Sequence, residues 1–446
     1  MDRNLAALSF IFLILSSAPV LPWDRNTVAY SGTGVGIEPV LPDEHTHLIP
    51  EQAGGPELVL RLTGGSGDKI AGAFLYVGIT DYAGCGRGDF TRRLDFQPGT
   101  EAREKFRLDF LDGQPGFYDI RALLFDHGRE LGRKEFTFGY AVDKLPLEAG
   151  PPQDFDRFWQ DTRDSLSRIP LDPRAQMDST RSNASVEVYR VSFASLHGVR
   201  IHGWLAVPRR QEGPHAALLL FPGYSTGKIS PNLEYPELGY VTLSIQVRGY
   251  GVDQESYPED NRQYMTLGVE NPETYIYREI VCHCLRAVDF LAARPEVDSG
   301  RLGAVGGSQG GGLSILTAGL DQRIKVVVAS APFLTGFPLA MTMTGAPYRD
   351  LVRYLELHPE CRERVLRTVS FFDSANLAGR ITVPVILAIG LADRTCPAPA
   401  IYRMYLGLGA KTKKVEIFPG LDHLEIWKEF APLARQWLLE HLPPVD

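Results

Sequence analysis

At 446 residues the chain is long enough for two or three domains of roughly 100–200 residues each. Its 44% hydrophobic, 22% charged and 10% aromatic residues are those of a folded globular protein, which excludes a disordered or fibrous polymer. A formal net charge of −8, without long runs of one sign, makes nucleic acids and anionic membrane surfaces poor partners.

At the start of the chain, "MDRNLAALSFIFLILSSAPV" places Arg3 ahead of an uncharged, mostly apolar run from Leu5 to Val20. That run is shorter than the roughly 20 residues a spanning helix needs and has the build of a secretory h-region. Residues 1–22 are therefore expected to be a signal peptide, and the chain to be exported to a periplasmic or extracellular location. Pro19 after Ser16-Ser17-Ala18 blurs the cleavage point, so a retained N-terminal anchor is the rival reading.

Residues 28–145 alternate short apolar runs with turn signals, as in "ELVLRLTGGSGD" and "GAFLYVGITDYAGCGRGD". Period-2 alternation over Phe117–Leu124 and Lys134–Val142 predicts strands joined in hairpins, with no long helical pattern between them. A small immunoglobulin-like β-sandwich is the simplest fold for this stretch. "LPLEAGPP" then reads as a linker, and Asp154 as the cap of an amphipathic helix that turns Phe155, Phe158 and Trp159 inward.

Over 146–446 the texture changes. Runs such as "AALLLFPG", "YVTLSIQVRG", "RLGAVGG", "IKVVVASAP", "VPVILAIG" and "KKVEIFPG" are apolar on both faces and alternate with helical segments. Such strands belong to a buried, mostly parallel sheet flanked by helices, so the expected class is α/β. Ligands of such sheets meet the chain beyond the carboxyl ends of the strands.

The five cysteines, Cys85, Cys282, Cys284, Cys361 and Cys396, are too sparse and odd in number for a disulfide framework. Cys282-His283-Cys284 resembles a metal-site fragment, but nothing nearby completes a tetrahedral set, and residues i and i+2 leave a helix on different faces. Buried thiols are the expected state.

Chemistry concentrates in "RLGAVGGSQGGGLSILTAG", where Ser308 lies between Gly306 and Gly310. A strand, G-x-S-x-G and a helix in succession form the context of a nucleophile elbow, whose sharp turn demands small neighbours. The Lys-Ser/Thr pair of a phosphate loop is missing. A nucleophilic serine needs a base, and the base an orienting acid, here in the order Ser, acid, His. Asp393 in "LADRTCP" and His423 in "LDHLEIW" each follow a strand and fill that order. Asp422 and Glu425 suit capping of the final helix, His215 sits at the wrong strand end, and His202 alternates with apolar residues in an early strand. The oxyanion hole is expected from two backbone N–H groups, those of Gln309 and of Tyr224 in "FPGYSTGK". Tyr224 as an aromatic pocket wall is the alternative.

The pieces "DFDRFWQDT", "FPGYSTG", "VRGYG", "YIYREIVCHCLRAVDFLAARPEVDSGRLGAVGGSQGGGLS", "APFL", "GLADRTCP" and "DHLE" occur in order over about Gln153 to His441. In this, the chain resembles the acetyl xylan esterase and cephalosporin C deacetylase family of α/β-hydrolases. The resemblance implies Ser308 as nucleophile, Asp393 as acid, His423 as base, Tyr224 and Gln309 as oxyanion donors, and no metal or organic cofactor. It implies a serine carboxylesterase acting on a small-molecule or oligosaccharide ester, with a short acyl group, acetyl foremost.

The chain departs from the family pattern at Tyr250 in Arg248-Gly249-Tyr250, where the family has glutamine, at Pro222, where it has histidine, and at Leu424, where His-Glu is usual. The added β-domain also argues against the family's compact hexamer while leaving a homo-oligomer open. An acyltransferase or thioesterase with the same triad, and an inactive secreted carbohydrate-binding protein, are the competing functions. The β-domain itself is a candidate polysaccharide binder.

Overall fold

A computed structural model describes residues 35–64, 70–97, 99–147, 150–209, 213–224, 228–247, 252, 261–343, 345 and 347–444. The expected leader at 1–22, the first residues of the expected sandwich at 28–34, and Arg248-Gly249-Tyr250 lie outside them. The chain divides into two compact units, Met1–Leu145 and Pro146–Asp446.

The first unit is built from two sheets. One has the order β1–β3–β6, comprising Gly36–Val40, Glu57–Thr63 and Glu101–Arg107. The other has the order β2–β8–β7–β4–β5, comprising Leu48–Ile49, Arg129–Tyr140, Gly116–Asp126, Ile70–Asp81 and Gly86–Phe96. Alternation decides which faces meet: Leu58, Leu60 and Leu62 of β3 share one core with Leu75, Val77 and Ile79 of β4 and Ile120, Ala122 and Leu124 of β7. The β7–β8 hairpin turns through His127 and Gly128, both at positive φ (47° and 81°), the geometry that suits the twist of the flanking strands. Sequence alternation carried β8 on to Val142; it stops at Tyr140, because Ala141 turns left-handed at φ 47°. Strand β5, at the end of its sheet, carries Arg87, Asp89, Arg92, Arg93 and Asp95, charges that discourage further pairing at an edge.

The second unit is α/β, with one nine-stranded sheet in the order β17–β16–β15–β14–β12–β13–β11–β10–β9. Six strands, β12 (His215–Phe221), β13 (Val241–Ile245), β14 (Val297–Gly307), β15 (Ile324–Ser330), β16 (Val385–Gly390) and β17 (Lys413–Phe418), run parallel and coincide with the six apolar runs read from the sequence. Strands β9 (Arg174–Met177), β10 (Val186–Ala194) and β11 (Arg200–Pro208) extend one side of the sheet antiparallel. Parallel alignment places the carboxyl ends of β12, β14, β16 and β17 along the same edge.

Helix α1 (Phe155–Ser167) buries Phe155, Phe158 and Trp159 as its pattern predicts, against Phe371 and Phe372. Each fully buried large apolar side chain contributes roughly 1.5–3 kcal/mol relative to exposure. Asp154 does not cap α1 with its side chain; its φ/ψ of −94°/11° is outside the extended region that aims a cap, and its carboxylate pairs with Arg367 instead. Helix α2 (Ile276–Ala292) packs on β12 and β14, α3 (Gln309–Leu320) on β14 and β15, α4 (Ala398–Gly407) on β16, and α5 (Ile426–His441) on β15 and β16. Cys282, His283 and Cys284 are all buried on α2, and His283 Nδ1 bonds the Val247 carbonyl at 2.8 Å. Burial pushes the Cys282 thiol up to about 12, so this triplet is core rather than a ligand set. Among the described residues no helix is long and apolar enough to cross a membrane.

Candidate active site

Strand β14 ends at Gly307, and Ser308 turns the chain into α3 at φ 54° and ψ −122°. That conformation costs a non-glycine residue about 1–3 kcal/mol and persists only where its surroundings over-determine it. Here they do so by hydrogen bonds. The Ser308 N–H donates to the Ser330 carbonyl at 2.9 Å, and the Ser308 carbonyl accepts from Phe333 at 2.9 Å and Gly312 at 3.1 Å. The glycines follow from the same crowding. A Cβ on Gly306 would lie 2.3 Å from the Gly310 carbonyl carbon, one on Gly310 2.1 Å from the Phe221 oxygen, and one on Gly312 1.8 Å from the Phe333 oxygen. The elbow is a dense backbone crossing that admits no side chain at these positions.

Asp393 follows β16 and is fully buried, while His423 follows β17 and is half-buried. A further glycine lets the two loops meet: a Cβ on Gly390 would lie 2.5 Å from the Leu421 oxygen, two residues before His423. The Asp393 carboxylate then divides its work. Oδ1 accepts the N–H groups of Thr395 (2.8 Å) and Cys396 (2.9 Å), which hold the side chain, and Oδ2 accepts from His423 Nδ1 at 2.7 Å. With its proton on Nδ1, the imidazole offers a bare Nε2 to the Ser308 hydroxyl, 3.0 Å away. The fold thus brings Ser308, His423 and Asp393 into one hydrogen-bonded line.

The loop after β12 lies alongside. Phe221 pairs with Gly306, and Tyr224 follows three residues later. Its ring stacks on Tyr264 with centroids 4.1 Å apart and planes 17° off parallel. Gln309, the first residue of α3, is fully buried; its Oε1 accepts from the hydroxyls of Tyr264 (2.7 Å) and Tyr277 (2.8 Å), and its Nε2 donates to the Gly223 carbonyl at 3.3 Å. Free N–H groups at the start of α3 and its positive dipole end face the Ser308 side of the elbow, favouring an anion there.

Cys396, whose spacing in the sequence carries no signal of a site, is buried three residues beyond Asp393, close enough for its thiol to interact with Ser308. Burial, reinforced by the Asp393 charge, pushes that thiol well above its ordinary range, so it is a neutral neighbour of the hydrogen-bonded line. Ligand atoms of Asp393, Cys396 and His423 lie within 4.8 Å of one another, but those of the aspartate and histidine are committed to the hydrogen-bonded line. Tyr264 and Tyr277 are likewise invisible to the sequence, because a tyrosine many residues from Gln309 carries no local signal of its partner.

Another buried carboxylate, Asp373, is held by N–H groups of Gly336 (2.8 Å), Phe337 (2.9 Å) and Ala375 (3.0 Å). His215 is buried at the first position of β12, away from the carboxyl edge, and His202 lies within β11. Glu425 stands at the N-cap position of α5, but the expected side-chain cap does not form: its backbone is already helical (φ −89°, ψ −26°), and its carboxylate accepts from the Asp422 N–H at 3.2 Å. On the rim beside His423, Leu424 is 88% exposed and Trp427 is 38% exposed, the Trp427 ring near Gly307.

A model of the acetyl xylan esterase family (AXE1) matches residues 145–441. An acetyl esterase of Xylanibacter ruminicola, Axe7A, is 27% identical over 300 residues, covering 65% of this chain and 66% of its own. Among solved structures, the acetyl xylan esterase of Paenibacillus sp. R4 superposes with a TM-score of 0.61 at 32% identity, over 66% of this chain and 97% of its own. Acetyl xylan esterase 1 of Thermoanaerobacterium sp. JW/SL YS485 gives 0.62 at 28% identity, over 67% and 97%. The matched span contains the whole elbow and both loops that meet it, and on these grounds the chain belongs to the acetyl xylan esterase family of α/β-hydrolases.

Proposed function

We propose that this chain is a serine carboxylesterase that removes short acyl groups, acetyl foremost, from a carbohydrate or similar small ester. The line from Ser308 through His423 (3.0 Å) to Asp393 (2.7 Å), at the end of a strained elbow, carries the reading. His423 Nε2 takes the Ser308 proton as the hydroxyl oxygen attacks the ester carbonyl. Asp393 keeps the imidazole in the productive tautomer and stabilises the imidazolium. The N–H groups of Gln309 and Tyr224 hold the oxyanion, and His423 returns the proton to the leaving alkoxide. Water attacks the acyl-enzyme by the same route, releasing acid and free Ser308.

Names of the relatives support the acetyl group and the carbohydrate. The rim adds a physical argument: an exposed indole beside the nucleophile gives a sugar ring an apolar face to stack on. The test is Ser308→Ala assayed on p-nitrophenyl acetate and on acetylated xylo-oligosaccharides. Loss of turnover by several orders of magnitude is expected, and undiminished turnover would sink the assignment.

A further inference from the structure

A fully buried carboxamide must find partners, since each unmet polar group costs roughly 1–3 kcal/mol. That of Gln309 finds them in one orientation only. The Gly223 carbonyl is an acceptor, so the end facing it at 3.3 Å must be the NH₂ group. The opposite end is then the oxygen, and the hydroxyls of Tyr264 and Tyr277 donate to it at 2.7 and 2.8 Å.

The consequence lies in the peptide that Gln309 touches. The Gly223 carbonyl and the Tyr224 N–H belong to one planar trans peptide and point in opposite directions, so whatever holds the carbonyl also aims the N–H. Glycine at 223 leaves that peptide little constraint of its own. We propose that the Gln309 side chain is a positioning residue for the oxyanion hole, with Tyr264 and Tyr277 as its supports. Gln309 supplies one donor from its own backbone, and through its carboxamide it sets the direction of the other. Tyr264 contributes a second hold, because the same residue that bonds Gln309 stacks on the Tyr224 ring at 4.1 Å. The inference rests on the oxyanion assignment made under the proposed function.

The test compares the full chain with Gln309→Met, which keeps the backbone N–H and side-chain length, and with Tyr264→Phe/Tyr277→Phe, which removes only two oxygens. Turnover of p-nitrophenyl acetate is expressed per active serine titrated with a fluorophosphonate, so that misfolded protein does not count. Losing one oxyanion donor lowers turnover by about 10²–10³, so a donor left in place but misdirected is expected to cost about 10–100-fold in kcat, with KM within about threefold. The Ki of a trifluoromethyl ketone, whose adduct carries the oxyanion, should rise by the factor that kcat/KM falls. Wild-type kcat per active serine in both variants, or an unchanged Ki, overturns the proposal. If Gln309→Met fails to fold, the double phenylalanine variant decides alone. A Ser308→Ala control that retains turnover would instead remove the functional reading on which the proposal stands.

Discussion

Replacing Asp393 by asparagine changes one atom of the active-site line and reverses its logic. In the native site Oδ1 accepts two backbone N–H groups and Oδ2 accepts from His423 Nδ1. An asparagine satisfies the backbone donors only by placing its oxygen at Oδ1, which turns its NH₂ toward His423. Nδ1 must then accept, the imidazole proton moves to Nε2, and that nitrogen, 3.0 Å from the Ser308 hydroxyl, can no longer take a proton. In a serine protease with this relay, tautomer reversal lowers kcat about 10⁴-fold, equivalent to about 5 kcal/mol of transition-state stabilisation. Because the backbone N–H groups stay paired, unfolding free energy should change by less than about 2 kcal/mol. Steady-state turnover of p-nitrophenyl acetate, read beside urea denaturation of the same preparation, separates the two effects. A folded Asp393→Asn enzyme within about tenfold of native kcat would refute the assignment of Asp393 as the orienting acid.

Gly310→Ala should destabilise by on the order of 3 kcal/mol, since its Cβ would lie 2.1 Å from the Phe221 oxygen; an unchanged urea midpoint would show that the elbow can relax. Of the five cysteines only Cys85 is exposed, and the Cys282 thiol is pushed up to about 12 by burial. A disulfide reagent at neutral pH should therefore titrate one thiol in the native protein and the rest only after denaturation. Trp427→Ala should raise KM for acetylated xylo-oligosaccharides roughly fivefold, the equivalent of about 1 kcal/mol of stacking, while leaving p-nitrophenyl acetate nearly untouched. Equal effects on both substrates would remove Trp427 from carbohydrate recognition.

The six parallel strands were legible because burial on both faces writes itself as an uninterrupted apolar run, and helix α1 because its aromatic spacing has the helical period. Side-chain capping was less legible. Asp154 is a residue type that caps helices, yet the Arg367 guanidinium, more than two hundred positions away, claims its carboxylate. Cys396 illustrates the same limit, since three residues of spacing from Asp393 do not reveal that its thiol would face Ser308.

What the sequence determined by itself is local and periodic: the α/β order of the second unit, the strand-to-helix turn at Ser308, and loops carrying Asp393 and His423 after successive strands. Tertiary structure decided everything that depends on chain segments far apart meeting. Strands β16 and β17 lie side by side, and the bare backbone at Gly390 lets the Leu421 carbonyl close to 2.5 Å of where a side chain would start, which delivers His423 to Asp393. Likewise the Gln309 carboxamide acquires its orientation only when the Gly223 carbonyl, 86 residues before it, and two tyrosine hydroxyls, 45 and 32 residues before it, surround it. Hydrogen-bond direction is a property of such an assembled cluster, and no window of sequence contains it.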